Sequence, residues 1–181
     1  MKKIFPLALP LLLFFSTAIC QQYMTRTALV GFYSKAPLED IHAENNQVYA
    51  IVDAGKKNIA FALLLKGFIF EKELMQVHFN ENYVESDKYP KASFTGSFSG
   101  ELPLNTNGTY PVLIKGTLTL HNISKNIELP ATIQTANGTI IATAKFLIKP
   151  EDYRISIPSI VRDKIARDIL VTVKADCSII H

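Results

Sequence analysis

The side chains that most often perform chemistry are sparse in this sequence, and the histidines are not spaced as metal ligands. There are four of them, and none lies at ligand spacing from another histidine or a cysteine: His42, His78, His121 and His181. His78 and Glu81 would share one face of a helix, but zinc takes at least three protein ligands, and the neighbouring Asn80 and Asn82 are poor ones. The sequence therefore predicts no metal site.

Signatures of covalent catalysis are also missing. The chain contains no G-x-S-x-G turn and no glycine-rich loop of the kind that binds phosphate groups. Cys177 lies beside Asp176, whose negative charge would raise the pKa of the thiol and make it a poor nucleophile. We therefore expect a protein that is not an enzyme and that carries no cofactor.

The first 20 residues have the pattern of a secretory signal peptide. Lys2 and Lys3 precede an apolar run over residues 4–15, and the small residues at 16–18 follow it. Cleavage after Cys20 would leave Gln21 as the first residue of a periplasmic or secreted protein. In the alternative, Cys20 is retained and acylated as in a lipoprotein, although that signal favours a small residue where Ile19 stands.

Composition limits what the exported chain can be. Of 181 residues, 48% are hydrophobic and 19% charged, and the formal net charge is +3. Without Lys2 and Lys3, 17 basic residues face 16 acidic ones, a net charge of +1 that lacks the positive excess of a nucleic-acid binder. Beyond the leader, no apolar stretch reaches the roughly 18 residues of a membrane helix. Residues 21–181 are thus predicted to form a single domain without a transmembrane segment.

The elements that would position any site are mainly strands. Over residues 111–121, Val112, Ile114, Gly116, Leu118 and Leu120 alternate with residues of the opposite face, and residues 139–148 repeat the pattern. Further strands are predicted over 27–34, 47–53, 58–66, 92–99, 126–135 and 164–175, and a short helix over 70–79. Eight strands suit a barrel or a sandwich. Short polar turns at 122–125 and 136–138, the latter containing Asn-Gly, favour antiparallel neighbours.

The inward faces of these strands mix large and small residues. Residues 58–66 are apolar on both faces, which predicts that a helix covers the strand. In a closed sheet of about eight strands, the interior is either filled by side chains or wide enough for one slim ligand. Small residues such as Ala92, Gly116, Ala142 and Ala144 would permit a cavity. The predicted inward residues that would contact a ligand are Phe61, Leu63, Phe94, Phe98, Leu118, Ile140, Ala142 and Phe146.

Three segments in order resemble the YceI-like family of exported lipid-binding proteins. They are residues 75–96, 115–130 and 145–158, which carry Y-P and F-x-G, then G-x-L-x-L-H-x-x-x-K, and then F-x-I, D-Y-x-I and P. These motifs fall on Tyr89, Pro90, Phe94, Gly96, Gly116, Leu118, Leu120, His121, Lys125, Phe146, Ile148, Asp152, Tyr153, Ile155 and Pro158. Gln76 and Val77 stand where the family commonly has Arg-Asp, so the chain looks like its shorter branch.

The resemblance implies an eight-stranded antiparallel, lipocalin-like β-barrel with a short helical insertion. It also implies an elongated interior that in some members holds a polyisoprenoid chain. His78 and Tyr83 would lie near the barrel mouth, where His78 could hydrogen-bond a lipid headgroup, whereas His121 and Asp152 are expected to anchor turns. Two functions remain: a carrier for an apolar lipid or isoprenoid, or a filled barrel that serves as a structural or interaction module of the cell envelope.

Overall fold

The computed structural model describes residues 21–180, and these residues form a closed barrel of antiparallel strands. The predicted signal peptide lies outside the described residues. The strands are β1 (Gln22–Lys35), β2 (Asp40–Asp53), β3 (Asn58–Leu64), β4 (Ile69–Phe70), β5 (Lys91–Ser99), β6 (Gly108–Leu120), β7 (Ile123–Ala136), β8 (Thr139–Ile148) and β9 (Ile169–Ile179). One short α-helix, α1 (Glu73–His78), continues into a π-helical turn over Phe79–Tyr83.

Hydrogen bonding between β1 and β2 closes the sheet. The order is β1-β9-β8-β7-β6-β5-β3-β2, and β1 pairs with both β9 and β2, so none of these eight strands is left with a free edge. The two-residue β4 is a small addition that pairs with β2. The predicted eight-stranded antiparallel barrel with a short helix is thus confirmed.

Two tight hairpins keep neighbouring strands in register. Asn137 and Gly138 both have positive φ, 49° and 79°, as a type I′ turn requires, and they join β7 to β8. His121 and Asn122, with φ of 51° and 58°, form the equivalent turn between β6 and β7. This turn lies one residue before the predicted segment 122–125, because β7 already begins at Ile123.

Alternating burial confirms the predicted inward faces of β6 and β8, but other predictions need correction. Residues 164–168 belong to a loop, and the last strand begins at Ile169. β3 is not covered on its outer side: Leu64 is 54% exposed, and α1 packs against β4 and the π-helical turn instead. Strand β2 begins at Asp40, seven residues before its predicted start.

The two ends of the barrel are built differently. One end, here called the mouth, carries the connections 36–39, 65–90, 121–122 and 149–168. The opposite end, here called the closed end, carries the connections 54–57, 100–107 and 137–138 and is packed with buried side chains such as Tyr23, Val52, Phe98 and Ile140. Among residues 21–180, no helix has the length and hydrophobicity needed to cross a bilayer.

Candidate functional site

An apolar cavity of about 630 Å³ extends from the mouth into the barrel as far as Ile59, Ile133 and Ala142. Inward side chains of the strands form its wall, and residues of the π-helical turn and of the connection 149–168 complete it. Several lining residues at the mouth are exposed, among them Lys72, Leu74, His78 and Lys164, so the cavity reaches the surface there. The interior is therefore filled by side chains only toward the closed end.

Eight of the ten predicted contact residues line this cavity: Phe61, Leu63, His78, Tyr83, Phe94, Leu118, Ala142 and Phe146. The structure brings together residues from four strands, as the alternating pattern requires, with His78 from α1 and Tyr83 from the π-helical turn. Phe98 and Ile140 are buried, with 3% and 0% exposure, but they are not among the lining residues. Both pack in the closed end because they lie on the parts of β5 and β8 farthest from the mouth. That the eight lining residues contact a ligand stays a prediction.

A pair of glycines makes room for the ring of Phe94. Gly96 on β5 pairs with Gly116 on β6, and both lie on the inner face of the barrel. A Cβ atom on Gly96 would lie 2.3 Å from the carbonyl oxygen of Lys115 and 2.9 Å from Phe94 Cζ. One on Gly116 would lie 2.4 Å from the carbonyl oxygen of Thr95 and 2.6 Å from Phe94 Cζ, so both the neighbouring backbone and the ring require glycine here. The ring can therefore lie across the backbone of both strands, which explains physically why Phe94 and Gly96 occur together in the F-x-G segment.

Four phenylalanines outside the predicted contact residues line the cavity near the mouth. Phe32 lies on β1, Phe68 precedes β4, Phe70 is the last residue of β4, and Phe79 begins the π-helical turn. Their ring centroids are 5.1–5.6 Å apart in five pairs, and such aromatic contacts favour tilted or offset arrangements. The cluster holds the helical segment against the barrel. Phe32 continues the inward series of β1, so alternation could have identified it, whereas the other three lie outside any alternating segment.

The side chain of Asn45 stabilises the place where β2 and β3 separate. Its Nδ2 donates to the carbonyl oxygen of Leu64 at 2.9 Å, and its Oδ1 accepts from the amide of Gln47 at 2.9 Å. Asn45 is 1% exposed, so these bonds satisfy polar atoms that would otherwise be buried without partners. Beyond this point β4 takes the place of β3 beside β2. The gap between the strands is thereby closed by the segment that carries Phe68 and Phe70.

His121 is a turn anchor and does not line the cavity. Its Nδ1 lies 3.0 Å from the carbonyl oxygen of Tyr153 and its Nε2 lies 3.0 Å from Glu85 Oε2. The ring also stands edge-on to Tyr89, with centroids 4.2 Å apart. These contacts tie the turn between β6 and β7 to the connections 65–90 and 149–168. The expected structural role of this histidine agrees with its geometry.

Charged side chains line the cavity only at the mouth. Lys72 Nζ lies 2.8 Å from Glu39 Oε1, which connects the residue before α1 to the connection between β1 and β2. The Lys72 ammonium holds the pKa of the Glu39 carboxyl below its ordinary value, and Lys164 adds to this effect. The same ion pair raises the pKa of Lys72. Both groups are therefore charged at neutral pH.

The described residues show neither a metal cluster nor an activated thiol. Among residues 21–180, no three His, Cys, Asp or Glu side chains are grouped so that they could hold a metal ion. Cys177 is fully buried in the closed end, and burial, with a smaller effect of Asp176, raises the pKa of its thiol to about 11. A thiol in that state is a weak nucleophile.

A closed antiparallel barrel with an apolar cavity open at one end is the architecture of lipocalin-like proteins. The family model of the YceI-like domain matches residues 28–177. The chain therefore belongs to the YceI-like family, which confirms the resemblance inferred from its motifs. No curated protein sequence matches the chain.

Solved structures with the same fold share little sequence with this chain. A polyisoprenoid-binding domain from Saccharophagus degradans superposes with a TM-score of 0.76 at 14% identity, covering 89% of this chain and 99% of that one. BcnA of Burkholderia cenocepacia gives 0.69 at 14% identity, with 82% and 95% covered. The YCEI protein of Campylobacter jejuni gives 0.55 at 20% identity, with 69% and 73% covered. At these identities the comparisons establish the fold alone.

Proposed function

We propose that this protein is an exported carrier that holds an apolar chain, such as a polyisoprenoid or another lipid, inside its barrel. The observation that carries the proposal is the cavity itself, an apolar space of about 630 Å³ that reaches the surface at one end. An empty apolar cavity forfeits the contacts that a filling ligand would supply, so a large one is maintained at a cost in stability. The structural neighbour from Saccharophagus degradans is a polyisoprenoid-binding domain, which supports the same class of ligand.

The size of the cavity limits the length of the chain it can enclose. A methylene group is comparable in size to a water molecule, whose share of liquid volume is about 30 Å³. A volume of about 630 Å³ then corresponds to roughly 20 chain carbons. Longer chains would extend past the mouth. Because the deep wall is apolar, affinity would come from burial of the chain, and discrimination would come from its length and shape.

Export is the second part of the proposal, and it rests on the leader sequence. Lys2 and Lys3, the apolar run over 4–15 and the small residues before Cys20 support removal of residues 1–20 and release into the periplasm. N-terminal sequencing of the exported protein should begin at Gln21. A chain that starts at Met1 in the cytoplasm would contradict export, and an acylated Cys20 would show that the protein is a lipoprotein.

Native mass spectrometry of protein purified from its own compartment tests the carrier function. The carrier predicts an additional bound mass, and solvent extraction should release a lipid of that mass. A delipidated sample should then regain the mass when the extracted lipid is returned. If wild-type protein is always free of lipid and takes up none of the geranylgeranyl compounds described below, the alternative of an envelope module without a lipid is correct.

A further inference from the structure

The charged side chains of the cavity wall are three in number and lie together at the mouth. Glu39 comes from the connection between β1 and β2, Lys72 precedes α1, and Lys164 comes from the connection between β8 and β9. The other lining residues are uncharged or, at His78, titratable. Glu71 and Glu73 flank Lys72 in the sequence but do not line the cavity. The charged part of the wall therefore has two cations and one anion.

Backbone contacts hold the two connections that carry Glu39 and Lys164 side by side. The amide of Leu38 donates to the carbonyl oxygen of Asp163 at 3.0 Å, and the amide of Ala166 donates to Ser34 Oγ at 2.8 Å. Lys72 is paired with Glu39, whereas Lys164 forms no ion pair within the described residues 21–180. Lys164 therefore acts on Glu39 only at longer range, and its ammonium is left without a direct ion-pair partner in this part of the chain.

We propose that the mouth binds an anionic end group, a carboxylate or a phosphate, of the ligand whose chain fills the cavity. This inference rests on the proposed carrier function and specifies the polar end of its ligand. An anionic group cannot enter the apolar interior without a large desolvation penalty, so it stays at the mouth once the chain is inserted. There Lys164 is available to it, and Lys72 can be shared between the end group and Glu39.

Glu39 has two opposing effects in this arrangement. It orients the Lys72 ammonium at the mouth through the 2.8 Å ion pair, and its own charge repels an incoming anion. The mouth therefore selects anionic ends less strongly than two free lysines would. Neutralising Glu39 should release Lys72 to the ligand and increase that selectivity.

The test compares three compounds that share the geranylgeranyl chain and differ only in their end group: the alcohol, the carboxylic acid and the phosphate. Dissociation constants are measured on delipidated full-length mature protein by isothermal titration calorimetry. We expect the acid and the phosphate to bind about threefold to tenfold more tightly than the alcohol, which is what two partly exposed charge pairs supply. The dissociation constants of the acid and the phosphate, compared with each other, show which anion the mouth prefers.

Charge-neutralising variants assign the effect to named side chains. In Lys164→Gln and Lys72→Gln, the preference for the anionic compounds should fall about twofold to fivefold, while the affinity for the alcohol is unchanged. In Glu39→Gln the preference should rise. Lys145→Gln, at an exposed outward position of β8, is the matched control and should leave the preference unchanged.

Two outcomes would overturn the inference, and they are distinguishable. If all three compounds bind equally to wild type, or if the lysine variants keep the full preference, the mouth does not recognise an anion, and the carrier function stands on the binding of the alcohol. If none of the three compounds binds, both the anion site and the carrier function fail. Added salt should weaken binding of the acid and the phosphate but leave binding of the alcohol unchanged, because only charge interactions are screened.

Discussion

Ala144→Phe tests directly whether the space inside the barrel can accept more atoms. Ala144 lies on β8 between Ala131 and Val173 of the neighbouring strands, and it lines the cavity. The substitution adds six carbon atoms, on the order of 100–150 Å³ at slightly less than the volume of a water molecule for each. This is about a fifth of the available 630 Å³. The larger side chain should therefore fit without displacing its neighbours.

The expected result is a protein of nearly unchanged stability that holds less lipid. Urea unfolding of the delipidated variant should give a free energy of unfolding within about 1 kcal/mol of wild type, since a void is filled without overpacking. Delipidation is necessary because a bound ligand adds to the apparent stability. Native mass spectrometry should show a reduced fraction of lipid-bound protein, because the new ring occupies part of the space for the chain.

Ala175→Phe is the matched control, since it makes the same change on the inner face of β9 where no space exists. Ala175 is fully buried, pairs with Ala142 and does not line the cavity. Overpacking there should lower the free energy of unfolding by about 1–3 kcal/mol. If Ala144→Phe is destabilised as much as Ala175→Phe, the interior behaves as a filled core and the carrier function is refuted. Unchanged lipid content in Ala144→Phe would refute the assignment of this part of the cavity to the chain.

Three further predictions concern residues around the cavity. The buried thiol of Cys177 keeps its proton up to about pH 11, whereas the thiol of the unfolded chain loses it near pH 9. Between these pH values the free energy of unfolding of wild type should therefore fall by about 2–3 kcal/mol more than that of Cys177→Ala. An equal dependence of the free energy of unfolding on pH in the two proteins would contradict the raised pKa. His121→Ala should cost about 1–3 kcal/mol in urea unfolding, because it leaves the carbonyl oxygen of the buried Tyr153 without this partner and removes the contact with Glu85, and it should not change lipid affinity. A selective loss of affinity would assign this histidine to the site. Gly116→Ala should cost about 1–3 kcal/mol, because its Cβ would lie 2.4 Å from the carbonyl oxygen of Thr95 and 2.6 Å from Phe94 Cζ; a variant of wild-type stability would contradict this close approach of β5 and β6.

Alternation alone predicts the barrel strands well, because each of them has one face inside and one outside. On β6, Val112, Ile114 and Leu120 are buried as their spacing requires. The Asn-Gly pair likewise marks a hairpin through a local conformational requirement, positive φ at two successive residues. Both signals are local in the sequence. They identify the strands, the turns and most of the residues that line the cavity.

The helical segment and the last long connection depend on contacts distant in the sequence. Phe68 and Phe79 belong to the cavity wall because their rings pack against Phe32. Alternation within their own segment cannot predict this contact. In the connection 149–168, apolar residues recur every fourth position, and the structure turns Ile157, Val161 and Ile165 toward the cavity. Within 164–168, which was wrongly predicted as strand, Ile165 is apolar because it borders the cavity, whereas Lys164, Arg167 and Asp168 are charged.

The location of the mouth follows from the lengths of the connections, together with the antiparallel topology. Successive connections alternate between the two ends, so 36–39, 65–90, 121–122 and 149–168 must share one end, and 54–57, 100–107 and 137–138 the other. The two long connections therefore lie at the same end, and one of them contains the helix. Short turns can close a barrel only when side chains fill it, as Phe98 and Ile140 do at the closed end. Long connections can instead extend the wall beyond the strands, and the cavity and its three charged residues lie where they do so.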